Sequence, residues 1–107
     1  MKIDFIIVYI CCASRKEASA IAGQVVSNRL AACANIIPGI DSIFWWKGRI
    51  EKAKEVLLIL KTTAVKFREL ENTVKRIHSY ELPEIIAVPV AAGSKDYLSW
   101  IKDSTGQ

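Results

Sequence analysis

Residues 31–46 run Ala-Ala-Cys-Ala-Asn-Ile-Ile-Pro-Gly-Ile-Asp-Ser-Ile-Phe-Trp-Trp, Lys47-Gly48 supplies a tight turn, and residues 49–60 return from charge into Glu55-Val-Leu-Leu-Ile-Leu60. Two strands of that length joined by so short a turn make a hairpin that overhangs any body a 107-residue chain can build. An apolar ribbon left unpaired is an aggregation hazard, so the pattern predicts an oligomer whose other subunits cover it. Within the ribbon, Pro38-Gly39 cannot sit in a regular central ladder and marks a bulge or bend.

One domain, residues 1–107, is the expectation for this length, and such a chain buries only ~60–70% of its unfolded surface by itself. The 51% apolar content is high for a small monomer, which again favours association. No stretch approaches the ~18 apolar residues of a membrane span. At the start, one Lys precedes a short apolar run, but Asp4 interrupts it and no A-x-A site follows, so a leader is not expected and the location read is cytoplasmic. Three cysteines without framework spacing fit a reducing compartment. The net charge of +4 is spread thinly, with concentrations only at Arg15-Lys16, residues 47–54 and Lys75-Arg76. That distribution reads as solvated faces rather than a nucleic-acid patch.

The periodicities give an order of elements. Residues 3–11 form a near-continuous β-branched run, the mark of a strand covered on both faces. Ser14 with Glu17 three positions on makes a capping box, and Ala18, Ile21, Ala22 and Val25 follow at helical spacing. After the hairpin, Phe67, Leu70, Val74 and Ile77 stripe a second helix with Thr62 or Thr63 as its cap. Pro83 stops any continuation, residues 85–91 make a last buried strand, and Ser94 opens a short helix bearing Tyr97, Leu98 and Ile101. Strand, helix, strand, strand, helix, strand is the split βαβ order. The fold class is therefore α+β, ferredoxin-like (βαββαβ plus a C-terminal helix), with an extended β-hairpin.

That topology hosts many functions, so the sites must decide. An RNA-recognition module needs aromatic residues on its third strand, and residues 51–60 contain none. An acylphosphatase needs a Gly-rich anion cradle after the first strand, where this chain has Cys12-Ala13-Ser14-Arg15. A copper chaperone needs Cys-x-x-Cys there, but Cys11 and Cys12 are adjacent and, on a strand, point to opposite faces. Each cysteine otherwise reads as a small buried hydrophobe. The only histidine, His78, shares a loop with Tyr80, Glu81 and Glu84, a composition suited to metal or ligand binding. No Ser/His/Asp or Cys/His/Asn set is legible, and the expectation is a protein that is not an enzyme.

The motifs Leu30-Ala-Ala-Cys-Ala-Asn-Ile-Ile-Pro-Gly39, Ser42-Ile-Phe-Trp-Trp-Lys-Gly48, His78-Ser-Tyr-Glu-Leu-Pro-Glu-Ile-Ile86 and Tyr97-Leu-Ser-Trp-Ile101 resemble the CutA family of divalent-cation tolerance proteins. The resemblance runs in order over nearly the whole chain. It implies a homotrimer assembled through the long hairpins, similar in architecture to PII-type signalling proteins, and a role in tolerance of copper and other heavy metals. It implies Cys11 and His78 as metal ligands; Glu81 and Glu84, near His78 in the sequence, are expected as oxygen donors, and Trp46, Lys47 and Tyr80 are expected to line an intersubunit cleft. Copper or another divalent ion is the expected ligand, none of them obligatory, and neither nucleic acid nor membrane is a partner. The sequence departs from the family at Ile77, where some members carry a second histidine, and at Ser79, where proline is usual. A PII-like scaffold that binds a small molecule or protein is the alternative function.

Overall fold

The computed structural model describes residues 2–107, so Met1 of the expected domain lies outside the described residues. The elements are β1 (Phe5–Cys12), α1 (Arg15–Ser27), β2 (Cys33–Trp46), β3 (Arg49–Thr63), α2 (Phe67–Ile77), β4 (Ile85–Pro89) and α3 (Lys95–Ser104), with a 3-10 turn at Ala64–Lys66. The four strands form one antiparallel sheet in the order β2-β3-β1-β4. β1 pairs with β3 from Phe5↔Thr63 to Cys12↔Val56 and with β4 from Ile6↔Pro89 to Ile10↔Ile85.

Local chemistry sets the boundaries. Ser14 caps α1 by accepting the Glu17 amide at 3.1 Å, and Ser94 caps α3 by accepting the Tyr97 amide at 3.3 Å. The hairpin turns on Lys47 and Gly48, both at positive φ (51° and 79°), the twist that matches right-handed strands. Pro38-Gly39 is a bulge: the β2–β3 register shifts between Ile37 and Ile40, and Gly39 sits at φ 79°. α2 begins later than the threonines suggest. Thr63 precedes the 3-10 turn without a side-chain cap bond, and the Thr62 hydroxyl is buried, donating to the Leu30 carbonyl at 2.7 Å. The α2 stripe is also shorter than its spacing implies, since Leu70 and Val74 are buried whereas Ile77 is exposed.

Alternation divides the sheet into two unlike faces. Ile6, Val8, Ile10 and Cys12 of β1 and Val56, Leu58 and Leu60 of β3 are buried with Ala18, Ile21 and Val25 of α1 and Leu70 and Val74 of α2. The other face carries Ile7, Tyr9, Cys11, Leu57 and Ile59, all half-buried, with Ile86 and Val88 exposed beside them. A single chain thus covers β1 on one face only, where the run of apolar residues predicts cover on both. The hairpin tip exposes Ile43, Trp45 and Ile50 on the side of the sheet whose parity is that of Leu58, and the longest extent reaches 44 Å. The radius of gyration, 14.4 Å, exceeds the ~13 Å of a compact chain this size, as an overhanging ribbon requires. No helix among the described residues is long and apolar enough to cross a membrane.

Leu58 is fully buried on the helix-facing side. Leu58→Ala is expected to lower stability by about 2–5 kcal/mol in a denaturant titration, because the close-packed layer cannot collapse around the lost methyl groups.

Candidate functional site

The hairpin and the segment between α2 and β4 flank an open cleft of about 840 Å³ at the end of β1. Its lining includes Cys11 from β1, Phe44 and Trp46 from β2, Glu55 from β3, and Tyr80 and Glu84 from the 78–84 segment. Period-two alternation places Cys11 on this open face and Cys12 in the core.

Negative charge concentrates at the base of the cleft. Glu55 is only 7% exposed, and the Tyr80 hydroxyl donates to its Oε2 at 2.6 Å. Among the described residues neither Glu55 nor Glu84 takes part in an ion pair. The neighbours register this field. Burial, then the charges of Glu84 and Glu55, push the Cys11 thiol from 9.0 up to about 11. Burial and the Glu55 carboxylate likewise raise the Tyr80 phenol above its ordinary range.

Behind the cleft lies a second group. Ligand atoms of Cys12, Glu17 and His78 all fall within 4.8 Å of one another, a sulfur, oxygen and nitrogen set suited to a soft or borderline metal ion. The hydrogen bonds show what these atoms already do. The His78 Nε2 lies 2.8 Å from the Cys11 carbonyl and Nδ1 accepts the Tyr80 amide at 3.1 Å, so only the Nε2–H tautomer satisfies both. Glu17 accepts Ala13 N–H at 2.9 Å with Oε1 and Ser79 N–H at 2.8 Å with Oε2. The Cys12 side chain is fully buried, and burial, followed by the charge of Glu17, pushes its thiol up to about 12. A metal here must displace the Tyr80 amide from His78 and a proton from Cys12, so the group fits a lock between elements better than a metal centre.

The expected site residues therefore separate. Cys11, Glu81 and Glu84 line the cleft, whereas His78 stands behind it with no exposed side-chain surface. Tyr80 and Trp46 line it too, and Lys47 sits at its rim, 3.8 Å from Glu81 and over the Trp46 ring at 5.5 Å. Glu55 was not among the expected site residues. Its signal was present all the same, as a carboxylate at the head of the most apolar strand of the hairpin.

Residues 6–104 match the family described as CutA1 divalent ion tolerance protein. The chain is 44% identical over 100 residues to the "Divalent-cation tolerance protein CutA" of Thermus thermophilus, a match covering 94% of this chain and 97% of that one. This chain belongs to the CutA family. A solved structure described as the "Periplasmic divalent cation tolerance protein CutA" from Archaeoglobus fulgidus superposes with a TM-score of 0.92 at 44% identity, covering 94% and 98% of the two chains. The rice "Protein CutA 1, chloroplastic" is 42% identical over 94% of this chain, which spans only 56% of the rice protein.

The Cys11 and Cys12 thiols of this CutA chain carry a pH signature. Their pKa values are raised on folding, so the native state holds protons that the unfolded chain has released. The stability this supplies is complete below the unfolded thiol value near 9.0 and is lost as pH rises through about 11 to 12. The unfolding midpoint is expected to fall between pH 9 and 11 in a thermal series, and Cys12→Val should flatten that fall. An unchanged slope in Cys12→Val would show that the core thiol does not contribute.

Proposed function

We propose that this chain is a homotrimeric divalent-cation tolerance protein with a ferredoxin-like subunit, and that its cleft takes up copper or another heavy-metal ion between Cys11 and Glu84. The observation that carries this reading is the Cys11 thiol facing Glu84 and the buried Glu55, neither of which takes part in an ion pair among the described residues. Carboxylates that hold a proton on sulfur also favour a cation in its place, and the sulfur gives that position its preference for soft ions. The ion is cargo, bound and released. Neither raised thiol nor the raised Tyr80 phenol is an activated nucleophile near neutral pH, which supports a binder rather than an enzyme. We place the protein in the cytoplasm, where three free cysteines stay reduced.

The trimer is supported by the apolar sheet face that one chain leaves open and by the exposed hairpin tip. Trp45, 72% exposed in the single chain, is a large aromatic that association through the hairpin would cover. Trp45→Glu is expected to move the mass measured by light scattering toward the 11.9 kDa of one chain and to lower the melting temperature. An unchanged mass would reject this packing.

The test of the cation reading is an anaerobic Cu(I) competition titration against a calibrated chelator. Saturable binding at an integer ratio to the chain is expected, weakened at least about tenfold in Cys11→Ser and in Glu84→Gln. Because one thiol proton must leave, the apparent affinity should rise about tenfold per pH unit below the thiol pKa. The volume and aromatic wall of the cleft favour a second reading, a PII-like scaffold for a small molecule. Thermal stabilisation by a metabolite with no stabilisation by Cu(I) would put that reading first.

A further inference from the structure

We propose that Glu17 is the positioning residue of the cleft, a single carboxylate that ties the start of α1 to the 79–84 segment and thereby sets where Tyr80 and Glu84 stand. The inference rests on reading the cleft as the binding site. Glu17 does not touch the cleft. Its Oε1 accepts Ala13 N–H at 2.9 Å, immediately after the end of β1, and its Oε2 accepts Ser79 N–H at 2.8 Å, immediately before Tyr80. The His78 ring, between those two segments in the hydrogen-bond network, bonds the Cys11 carbonyl and the Tyr80 amide. One charged group therefore closes a ring of backbone contacts around the residues that place Cys11 on one wall and Tyr80 on the other.

Both bonds are charge-assisted, the stronger kind. Burial opposes ionisation of Glu17, yet hydrogen bonds from Ser79 and Ala13 outweigh it and hold the carboxyl below its ordinary range. The contact uses the amide hydrogen of residue 79, which a proline would lack. His78 leaves α2 at φ −75° and ψ 140°, the extended conformation that suits a residue before proline, so a proline at 79 is compatible with this backbone on its N-terminal side. Proline would fix the chain through its own ring, whereas Ser79 offers a donor and Glu17 receives it. The carboxylate does from α1 what a ring would do within the loop.

The experiment compares the wild type with Glu17→Ala, Glu17→Gln, Ser79→Pro and the double variant Glu17→Ala/Ser79→Pro. Amide hydrogen exchange, the ultraviolet titration of Tyr80 and Cu(I) affinity are measured on each. In Glu17→Ala the hydrogen-bonded amides of Ala13, Ser79 and Tyr80 should exchange about tenfold faster while those of β1 and β3 keep their rates. The Tyr80 phenol should titrate closer to an exposed tyrosine, and Cu(I) affinity should fall about tenfold. Adding Ser79→Pro to Glu17→Ala should restore slow exchange at Tyr80 and part of the affinity, a rescue that general destabilisation does not predict. Unchanged loop exchange and Tyr80 titration in a folded Glu17→Ala would overturn the proposal. If Glu17→Ala fails to fold, Glu17→Gln, which keeps one acceptor oxygen, decides by the same readouts. If the wild type binds no Cu(I), the cleft reading fails by itself, while exchange and the Tyr80 titration still judge Glu17.

Discussion

The hydrogen bond between the His78 ring and the Cys11 carbonyl, 2.8 Å long, joins the last turns of β1 to the segment that leaves α2. Everything on the open side of the sheet near the cleft depends on it. Cys11 is the last residue of β1 whose side chain faces outward, and its backbone carbonyl is held from behind by an imidazole. The same ring accepts the Tyr80 amide, so the phenol that reaches Glu55 starts from a fixed point. An imidazole with both nitrogens engaged and no exposed surface acts as a two-ended strut. A ligand at that ring would loosen both walls of the cleft at once.

The sheet above this strut is built asymmetrically. α1 and α2 cover the face that carries Val8, Ile10, Leu58 and Leu60, and each of those side chains is fully buried. The opposite face has comparable apolar content, from Ile7 and Tyr9 through Leu57 and Ile59 to Ile86, with no helix of its own. A chain that left this face in water would forgo roughly 25 cal/mol for each Å² of apolar surface it could bury by association. The exposed apolar tip lies on the opposite side, since Ile50, paired with Trp45, shares the parity of Leu58 rather than of Leu57, so the hairpin leaves apolar surface open on both of its faces.

Much of this was legible in the residues. The Ser14 cap of α1, the bulge at Pro38-Gly39 and the turn at Lys47-Gly48 depend on local chemistry, and each stands where the local rule puts it, although the second half of the capping box does not form: Glu17 accepts the Ala13 amide in place of that of Ser14. Tyr80, Glu81 and Glu84 of the 78–84 segment, whose composition suggests a ligand site, line the cleft. What could not be read was parity and distance. Cys11 and Cys12 are equivalent in composition, and only the strand register assigns one to the cleft and the other to the core. His78 looks like a ligand in a list of side chains, and only its two backbone partners show a different task. Glu17 satisfied its local role as a helix-start acid so fully that nothing in the sequence pointed to an amide 62 residues away.

The charge balance of the molecule gives the cleft its chemistry. The chain carries +4 overall, yet Glu51, Glu55, Glu81 and Glu84 line this cleft against a single lining lysine, Lys52. Glu81 meets Lys47 and Glu51 meets Arg49 at exposed positions, where solvent screens such pairs. Glu55 has no such relief: it is buried, and its hydrogen-bond donor is a neutral phenol. A hydrogen bond from a phenol stabilises a carboxylate without neutralising it, so the field persists and appears in the raised Cys11 and Tyr80 protons. A cation entering the cleft would gain from the carboxylates and, by displacing the thiol proton, would gain a soft sulfur donor as well. A neutral or anionic ligand of the same size would meet the same field with the opposite sign. On the proposed cation reading, any discrimination would come from Glu55 and Glu84, with Cys11 favouring soft ions.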